Sequence, residues 1–339
     1  MRYSEKKEIS KIYKTHYVNG IERLIEKREQ ECLTHRREYF QASAAMQEEY
    51  RRELKSILGW PLNGYNVEGV ISVRKHKMCD EGSYSIHRME FEVLDGLTIT
   101  GLLFQKDNLK KPLVIAQHGK LGTPEHVAGF YGSTTNYNNM ISRILKYDVN
   151  VFAPQLLLWN EESYQVSYNR ALIDARLKRV GSSIAAVEIW GLQKILDYFQ
   201  TQNFVSDCGM IGLSYGGFYT LLLAAIDTRV KAAISCSYFN DRKKYLFEDW
   251  TWFNVASKFN DAEIASLIYP RRLFLQVGTE DTFFDVRDAI TEYERLKNMW
   301  KDDLQWLEWN IFHGGHEFGL DDSLIERLVH EISDEQVGK

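Results

Sequence analysis

No apolar run in the 339-residue chain approaches the length of a membrane span, and Met1–Glu8 lacks the apolar core of a signal peptide. These two absences make a cytoplasmic protein without a membrane partner the expectation. Cysteine is sparse as well. Cys32, Cys79, Cys208 and Cys236 are scattered, show no metal-ligand spacing and, in a cytosolic chain, are expected to stay reduced. Positive charge is not in excess: 42 Lys+Arg stand against 47 Asp+Glu, for a net charge of −5 and a pI of about 6.0. That excludes the basic footprint of a nucleic-acid binder. Internal repeats and low-complexity tracts are missing too. Residues 1 to about 57 lack both proline and any strand pattern, which leaves helix as their reading.

What is present is an ordinary globular composition, 44% hydrophobic and 26% charged. It fits one large α/β domain with an extension better than two equal domains. In the opening region Ile21, Leu24 and Ile25, then Tyr39, Phe40, Met46, Tyr50, Leu54, Ile57 and Leu58, recur at helical spacing. Residues 1–60 therefore read as a helical extension with one apolar stripe, stopped by Gly59 and Pro61. The stripe has two uses. It can pack on the main domain, or it can join subunits of a homo-oligomer.

Residues 61–339 form the main domain. Val67–Lys77, Tyr84–Leu94 and Leu97–Phe104 alternate as strands, and Asp95-Gly96 marks a hairpin between the last two. Strand then alternates with helix: strands at 113–116, 149–154, the stretch before Gly212, 230–236, 273–278 and 304–312. The intervening helices fall at 138–147, 182–200, after Ser214, at 286–299 and at 321–333. Such alternation predicts a mainly parallel sheet covered by helices on both faces, with ligands beyond the carboxyl ends of the strands.

The stretch Gly212-Leu213-Ser214-Tyr215-Gly216-Gly217 lies between the apolar pair Met210-Ile211 and the helical run from Phe218. A Gly-x-Ser-x-Gly pattern is short enough to arise by chance, but strand before and helix after give it meaning as a nucleophile elbow. The serine sits at the tip of a sharp turn, where side chains two positions away would collide with the backbone. The Tyr215 N–H, in the first helical turn, can face a developing oxyanion. A strand end at Gly278-Thr279-Glu280-Asp281 supplies the orienting acid. Asp281 is the candidate, with Glu280 and Asp285 as near rivals and Asp241, Glu248 and Asp249 as distant ones. The alternative use of Asp281 is to cap the next helix. After the last strand, Phe312-His313-Gly314-Gly315-His316 supplies the base. His316 is the candidate and His313 the rival, because the two glycines let the backbone before His316 bend. The order Ser, Asp, His is that of a hydrolase triad. The second oxyanion donor falls in the loop Gln117-His118-Gly119-Lys120, at the Lys120 N–H. His118 orients that loop, and the Lys120 side chain is read as solvated. Residues 237–268 interrupt the alternation with a run of aromatics. They serve either as their own packed core or as a lid or substrate wall, in which Trp250 and Trp252 would stack on the substrate.

With these residues in place the chain resembles the α/β-hydrolase superfamily from about residue 60 to the end, and within it the dienelactone-hydrolase-like and acetyl xylan esterase-like group. The stretches that carry the resemblance are Gln117-His118-Gly119, Gly212–Gly217, Ala225–Ala232, Ala265–Arg272, Gly278–Asp281 and Gly314–Phe318. The resemblance implies an α/β-hydrolase fold and carboxylic ester hydrolysis, including deacetylation of carbohydrate esters, with no metal or organic cofactor. Glucuronoyl esterases of this group carry arginine after the nucleophile, where this chain has Tyr215. True dienelactone hydrolases have cysteine in place of Ser214. The expected substrate is a small-molecule ester. A peptidase or amidase on the same triad, and a non-catalytic binding protein of the same fold, are the alternatives.

Overall fold

The computed structural model describes residues 4–40, 46–64, 69, 72–301 and 303–333. Its frame is one nine-stranded sheet in the order β1-β2-β3-β5-β4-β6-β7-β8-β9. β1 (Ser72–Glu81), β2 (Tyr84–Leu94) and β3 (Leu97–Gln105) form an antiparallel meander. β3 then pairs antiparallel with β5 (Asn150–Pro154). From there β5, β4 (Lys111–Gln117), β6 (Val205–Leu213), β7 (Val230–Cys236), β8 (Arg272–Gly278) and β9 (Leu307–Phe312) run parallel. The expected start of the first strand at Val67 lies outside the described residues. β1 continues past the expected end at Lys77, because a register shift between Lys77 and Cys79 keeps its last residues paired with β2. Asp95-Gly96 turns the chain between β2 and β3, where Leu94 pairs with Leu97.

Two apolar layers explain why the central strands read as unbroken hydrophobic runs: helices bury both faces of the sheet. One layer lies under α2 (Gln47–Leu58), α7 (Ile184–Gln200), α8 (Tyr215–Ile226), α9 (Asp261–Ser266) and α10 (Val286–Trp300). The other lies under α4 (Met140–Ile144) and α11 (Ser323–Ser333). α4 is the expected helix 138–147 reduced to its centre. Asn138 and Asn139 both take left-handed backbone angles and so stand outside it. Residues 304–306 form a 3-10 turn and not the start of the last strand. Three further helices of the main domain are α3 (Pro124–Val127), α5 (Glu161–Tyr164) and α6 (Arg170–Arg179). α6 escaped the sequence reading because only Asp174 is buried, so it has no apolar stripe to read.

The N-terminal stripe splits in two. Tyr50, Leu54 and Leu58 of α2 are buried in the first layer, and Arg51 ties α2 to the ends of neighbouring elements through the Ala225 and Leu267 carbonyls. α1 (Lys7–Tyr39) is anchored mainly by its last turns: His35 reaches the Ser257 carbonyl (3.0 Å), Arg36 bonds the Ala256 carbonyl, and the ring of Phe40 stacks on Tyr50. Upstream, Ile21, Leu24 and Ile25 remain exposed. No helix among the described residues is long and apolar enough to cross a membrane.

Candidate active site

The turn after β6 places Ser214 at φ 60° and ψ −121°, a conformation that strains any residue with a side chain. The flanking glycines are required by contact. A Cβ at Gly212 would collide with the Gly216 carbonyl, and one at Gly216 would collide with the Gln117 carbonyl of β4. The Ser214 N–H is held by the Cys236 carbonyl at 2.9 Å, and the Ser214 carbonyl starts α8 by accepting from Phe218. Tyr215 is the first residue of that helix, so its N–H has no acceptor one turn back within the helix.

β8 and β9 end beside one another, and their loops bring Asp281 and His316 together. Nδ1 of His316 lies 2.8 Å from Oδ2 of Asp281. The other carboxylate oxygen of Asp281 accepts the N–H groups of Phe283 (2.8 Å) and Phe284 (3.0 Å). The Asp281 side chain is wholly buried, and the rings of Phe283 and Phe284 flank the imidazole. The helix cap that competes for Asp281 in a sequence reading is supplied instead by Asp285, which accepts the Arg287 N–H. The rivals are not brought to His316. Glu280 lies 3.8 Å from the exposed His313, Asp241 caps the turn at 242–244, Glu248 is exposed, and Asp249 is committed to Arg170 and Tyr215.

The loop that carries His316 is tied across the sheet. The carboxylate of Glu317 accepts from the Gly315 N–H and from Asn138, and the Phe318 N–H donates to the Asn136 carbonyl. Buried Arg143 donates to the Gly319 and Asp321 carbonyls and to the Asp322 carboxylate, with its guanidinium 4.7 Å from the Phe318 ring centre.

The loop after β4 passes close to the nucleophile: a Cβ on Gly119 would lie 3.2 Å from that of Ser214. The Gly119 N–H is already donated to the Tyr137 hydroxyl at 2.9 Å. The Lys120 N–H has no acceptor among the described residues. His118 lies fully buried beneath them. Its Nδ1 donates to the Gly119 carbonyl (2.9 Å), and Nε2 accepts the Leu156 N–H (3.1 Å). Burial pushes this imidazole down to about 4 from its ordinary 6.5. The unfolded chain therefore takes up the proton first as pH falls. Stability should be lost from about pH 6.5 downward and level off below about 4, a loss of about 3 kcal/mol. Urea unfolding between pH 7 and pH 4 should show a flatter pH slope for His118→Gln than for wild type. An equal slope would assign the loss elsewhere.

A cleft of about 660 Å³ opens beside Tyr215, lined by Lys120, Trp159, Tyr168, Phe247, Glu161, Glu162 and Glu248. The Lys120 side chain is exposed on its rim. The structure does not bring Trp250 and Trp252 to this cleft. They are 1% and 4% exposed, and Trp250 stacks on Phe218 of α8 at 5.1 Å, so both belong to the core beneath the elbow helix. The accessible aromatic wall comes instead from Trp159, Tyr168 and Phe247. Two of these lie in 155–170, which the sequence reading passed over; the rule that sites form beyond strand ends would have marked it, since it follows β5.

Arg170 locks this wall to the elbow. Its guanidinium bonds Asp249 (2.6 Å), Glu188 (2.9 Å), the Tyr219 hydroxyl (2.6 Å) and the Leu157 carbonyl (2.9 Å). Asp249 in turn accepts from the Tyr215 hydroxyl at 3.0 Å. Burial first, and then the Asp249 charge, hold the Tyr215 phenol far above its ordinary value, so it remains a donor.

No protein-family model matches the chain. No curated protein matches it either. Solved structures do. A glucuronoyl esterase from Solibacter usitatus is 15% identical, with 84% of this chain and 91% of that one covered, at a TM-score of 0.60. Acetyl xylan esterase 1 from Thermoanaerobacterium sp. JW/SL YS485 is 14% identical, covering 85% and 94%, at 0.59. An acetyl xylan esterase from Paenibacillus sp. R4 is 16% identical, covering 86% and 95%, at 0.58. At such identities the likeness is one of fold, and the fold is that of the α/β-hydrolases.

Proposed function

We propose that this α/β-hydrolase chain cleaves carboxylic esters of small molecules through an acyl-enzyme on Ser214. The observation that carries the reading is the 2.8 Å contact between His316 and buried Asp281, formed by the loops after β8 and β9 at the carboxyl end of the parallel strands, the same end at which Ser214 follows β6. His316 takes the Ser214 proton as the oxygen attacks the ester carbonyl. Asp281 holds the proton on Nδ1 and steadies the imidazolium. The N–H groups of Tyr215 and Lys120 receive the tetrahedral oxyanion, each worth about 3 kcal/mol of barrier. His316 then protonates the leaving alcohol, and water repeats the sequence on the acyl group.

The lining of the cleft favours an acylated carbohydrate. Trp159, Tyr168 and Phe247 offer flat apolar faces for a sugar ring, and Glu161, Glu162 and Glu248 offer acceptors for hydroxyl groups. The solved structures of like fold include enzymes described as acting on acetyl xylan and glucuronoyl esters. The test is turnover on p-nitrophenyl esters of graded chain length, acetylated sugars and matched anilides. Ester cleavage is expected, with acetylated sugars preferred. In Trp159→Ala, KM for the sugar ester should rise about tenfold with kcat nearly unchanged. Cleavage of anilides alone would turn the reading to an amidase.

A further inference from the structure

The cleft beside Tyr215 carries more negative charge than neutral hydroxyl groups call for. Glu161, Glu162 and Glu248 line it, and its lining has two cations, Lys120 and Arg170. Arg170 is already committed. Its guanidinium serves both Asp249 (2.6 Å) and Glu188 (2.9 Å), so that buried group keeps one negative charge in excess. Lys178, whose Nζ lies 2.6 Å from the Glu248 carbonyl, is paired with buried Asp174 at the same distance. Glu162 and Glu248 are exposed and have no ion pair among the described residues. Carboxylates favour the first turn of a helix, which accounts for Glu161 and Glu162 at the start of α5. It does not account for their sharing one cleft with Glu248, which comes from a segment after β7. Like charges in one cleft repel each other, and a bound cation removes that repulsion.

The aromatic wall offers ring faces and few donors. The Trp159 indole N–H is given to the Val166 carbonyl (2.9 Å), the Tyr168 hydroxyl to the Trp159 carbonyl (2.9 Å) and the Tyr215 hydroxyl to Asp249 (3.0 Å). Asn160 and Asn169 use their side-chain oxygens to cap α5 and α6. The rings of Trp159 and Tyr168 meet edge to face with centres 4.8 Å apart, and Glu161 braces the same turn by accepting the Tyr168 N–H (2.9 Å). The wall is therefore held in place before any ligand arrives. Aromatic faces attract an ammonium group through the ring quadrupole, and a cleft of one charge sign concentrates its field on the ligand.

We propose that the ester seated in this cleft carries an ammonium group. Resting on the reading that the chain hydrolyses acylated carbohydrates, the proposal makes the sugar an amino sugar with its nitrogen free. The ammonium lies against the Trp159, Tyr168 and Phe247 rings, and Glu162 and Glu248 balance its charge. Sugars that bear a carboxylate or a phosphate are disfavoured by the same field.

The test compares glucosamine, glucose and N-acetylglucosamine, each acetylated on the same primary hydroxyl, so that an ammonium, a hydroxyl and a neutral amide occupy one position. For wild type, kcat/KM on the glucosamine ester should exceed that on the glucose ester about tenfold, and the N-acetylglucosamine ester should show no such gain. Raising NaCl from about 20 mM to about 500 mM should shrink the ratio. In Glu162→Gln/Glu248→Gln the ratio should fall to about one. Ligand-observed NMR with free glucosamine and free glucose makes the same comparison on wild type without turnover. Equal rates and equal binding for the two sugars overturn the proposal and leave ester hydrolysis standing. A tenfold preference that survives in the double variant overturns it too, because these glutamates then do not select the charge. No turnover of any ester, with glucosamine still bound in preference to glucose, removes the hydrolase reading and upholds the selection of a cation.

Discussion

Ser214→Ala should lower kcat for ester hydrolysis by about 10⁶-fold and leave the protein folded. The loss is that large because the reaction proposed here begins with a covalent bond to the Ser214 oxygen, and no other group at the elbow can replace it. The fold should tolerate the change because alanine keeps the Cβ. The backbone at φ 60° is as strained with alanine as with serine, and the anchors that hold it are backbone bonds: the Ser214 N–H to the Cys236 carbonyl and the Ser214 carbonyl to the Phe218 N–H. Residual catalysis of about 10³-fold over water should persist from the oxyanion donors and binding. Steady-state kinetics with a thermal melt of both proteins checks it. A variant that retains more than about a tenth of wild-type kcat would show that Ser214 is not the nucleophile.

Asp281→Asn should cost about 10⁴-fold in kcat. The hydrogen bonds around the carboxylate show why so small a change would act so strongly. One oxygen faces the N–H groups of Phe283 and Phe284, which only an acceptor can satisfy. The asparagine oxygen must take that position, so its NH₂ group faces Nδ1 of His316. Nδ1 then has to accept, the ring proton moves to Nε2, and the imidazole can no longer take the serine proton. The predicted signature is a large fall in kcat with little change in KM and a melting temperature near wild type. A loss below about tenfold would mean that another group orients the base.

The parts of the site that sequence pattern made legible are those built from short, contiguous stretches. Gly212–Gly217 declares its own turn, because the glycines are needed by the backbone contacts of that same turn and of β4. The strand ends at Asp281 and His316 follow from alternation, and the central strands from their continuous apolar runs. What escaped depends on where distant segments settle. Trp250 and Trp252 looked like a substrate wall because an aromatic run after a strand end overhangs such sites. Whether an aromatic faces the cleft or the core is decided by Phe218 and Tyr215, some thirty residues earlier. α6 and Arg170 were silent for the opposite reason: a helix with one buried side chain has no periodicity to read, and its part in the site rests on three acceptors and a tyrosine from four other segments. The N-terminal stripe was legible as helix, but its division between core and solvent was not, because helical spacing carries no information about which turns meet the sheet.

The anchoring of the His316 loop has a consequence for biosynthesis. Arg143 and Asn138 reach across some 180 residues of sequence to hold Gly319, Asp321 and Asp322, and Glu317 with them. Until those last residues have left the ribosome, the segment around Arg143 lacks its partners and the proposed base has no fixed position. β6 and the turn at Ser214 precede those residues in the chain, whereas the anchoring of the His316 loop waits for them. On the reaction proposed above, a nascent chain in which Ser214 is already exposed lacks a placed base, and turnover waits until Asp322 has left the ribosome.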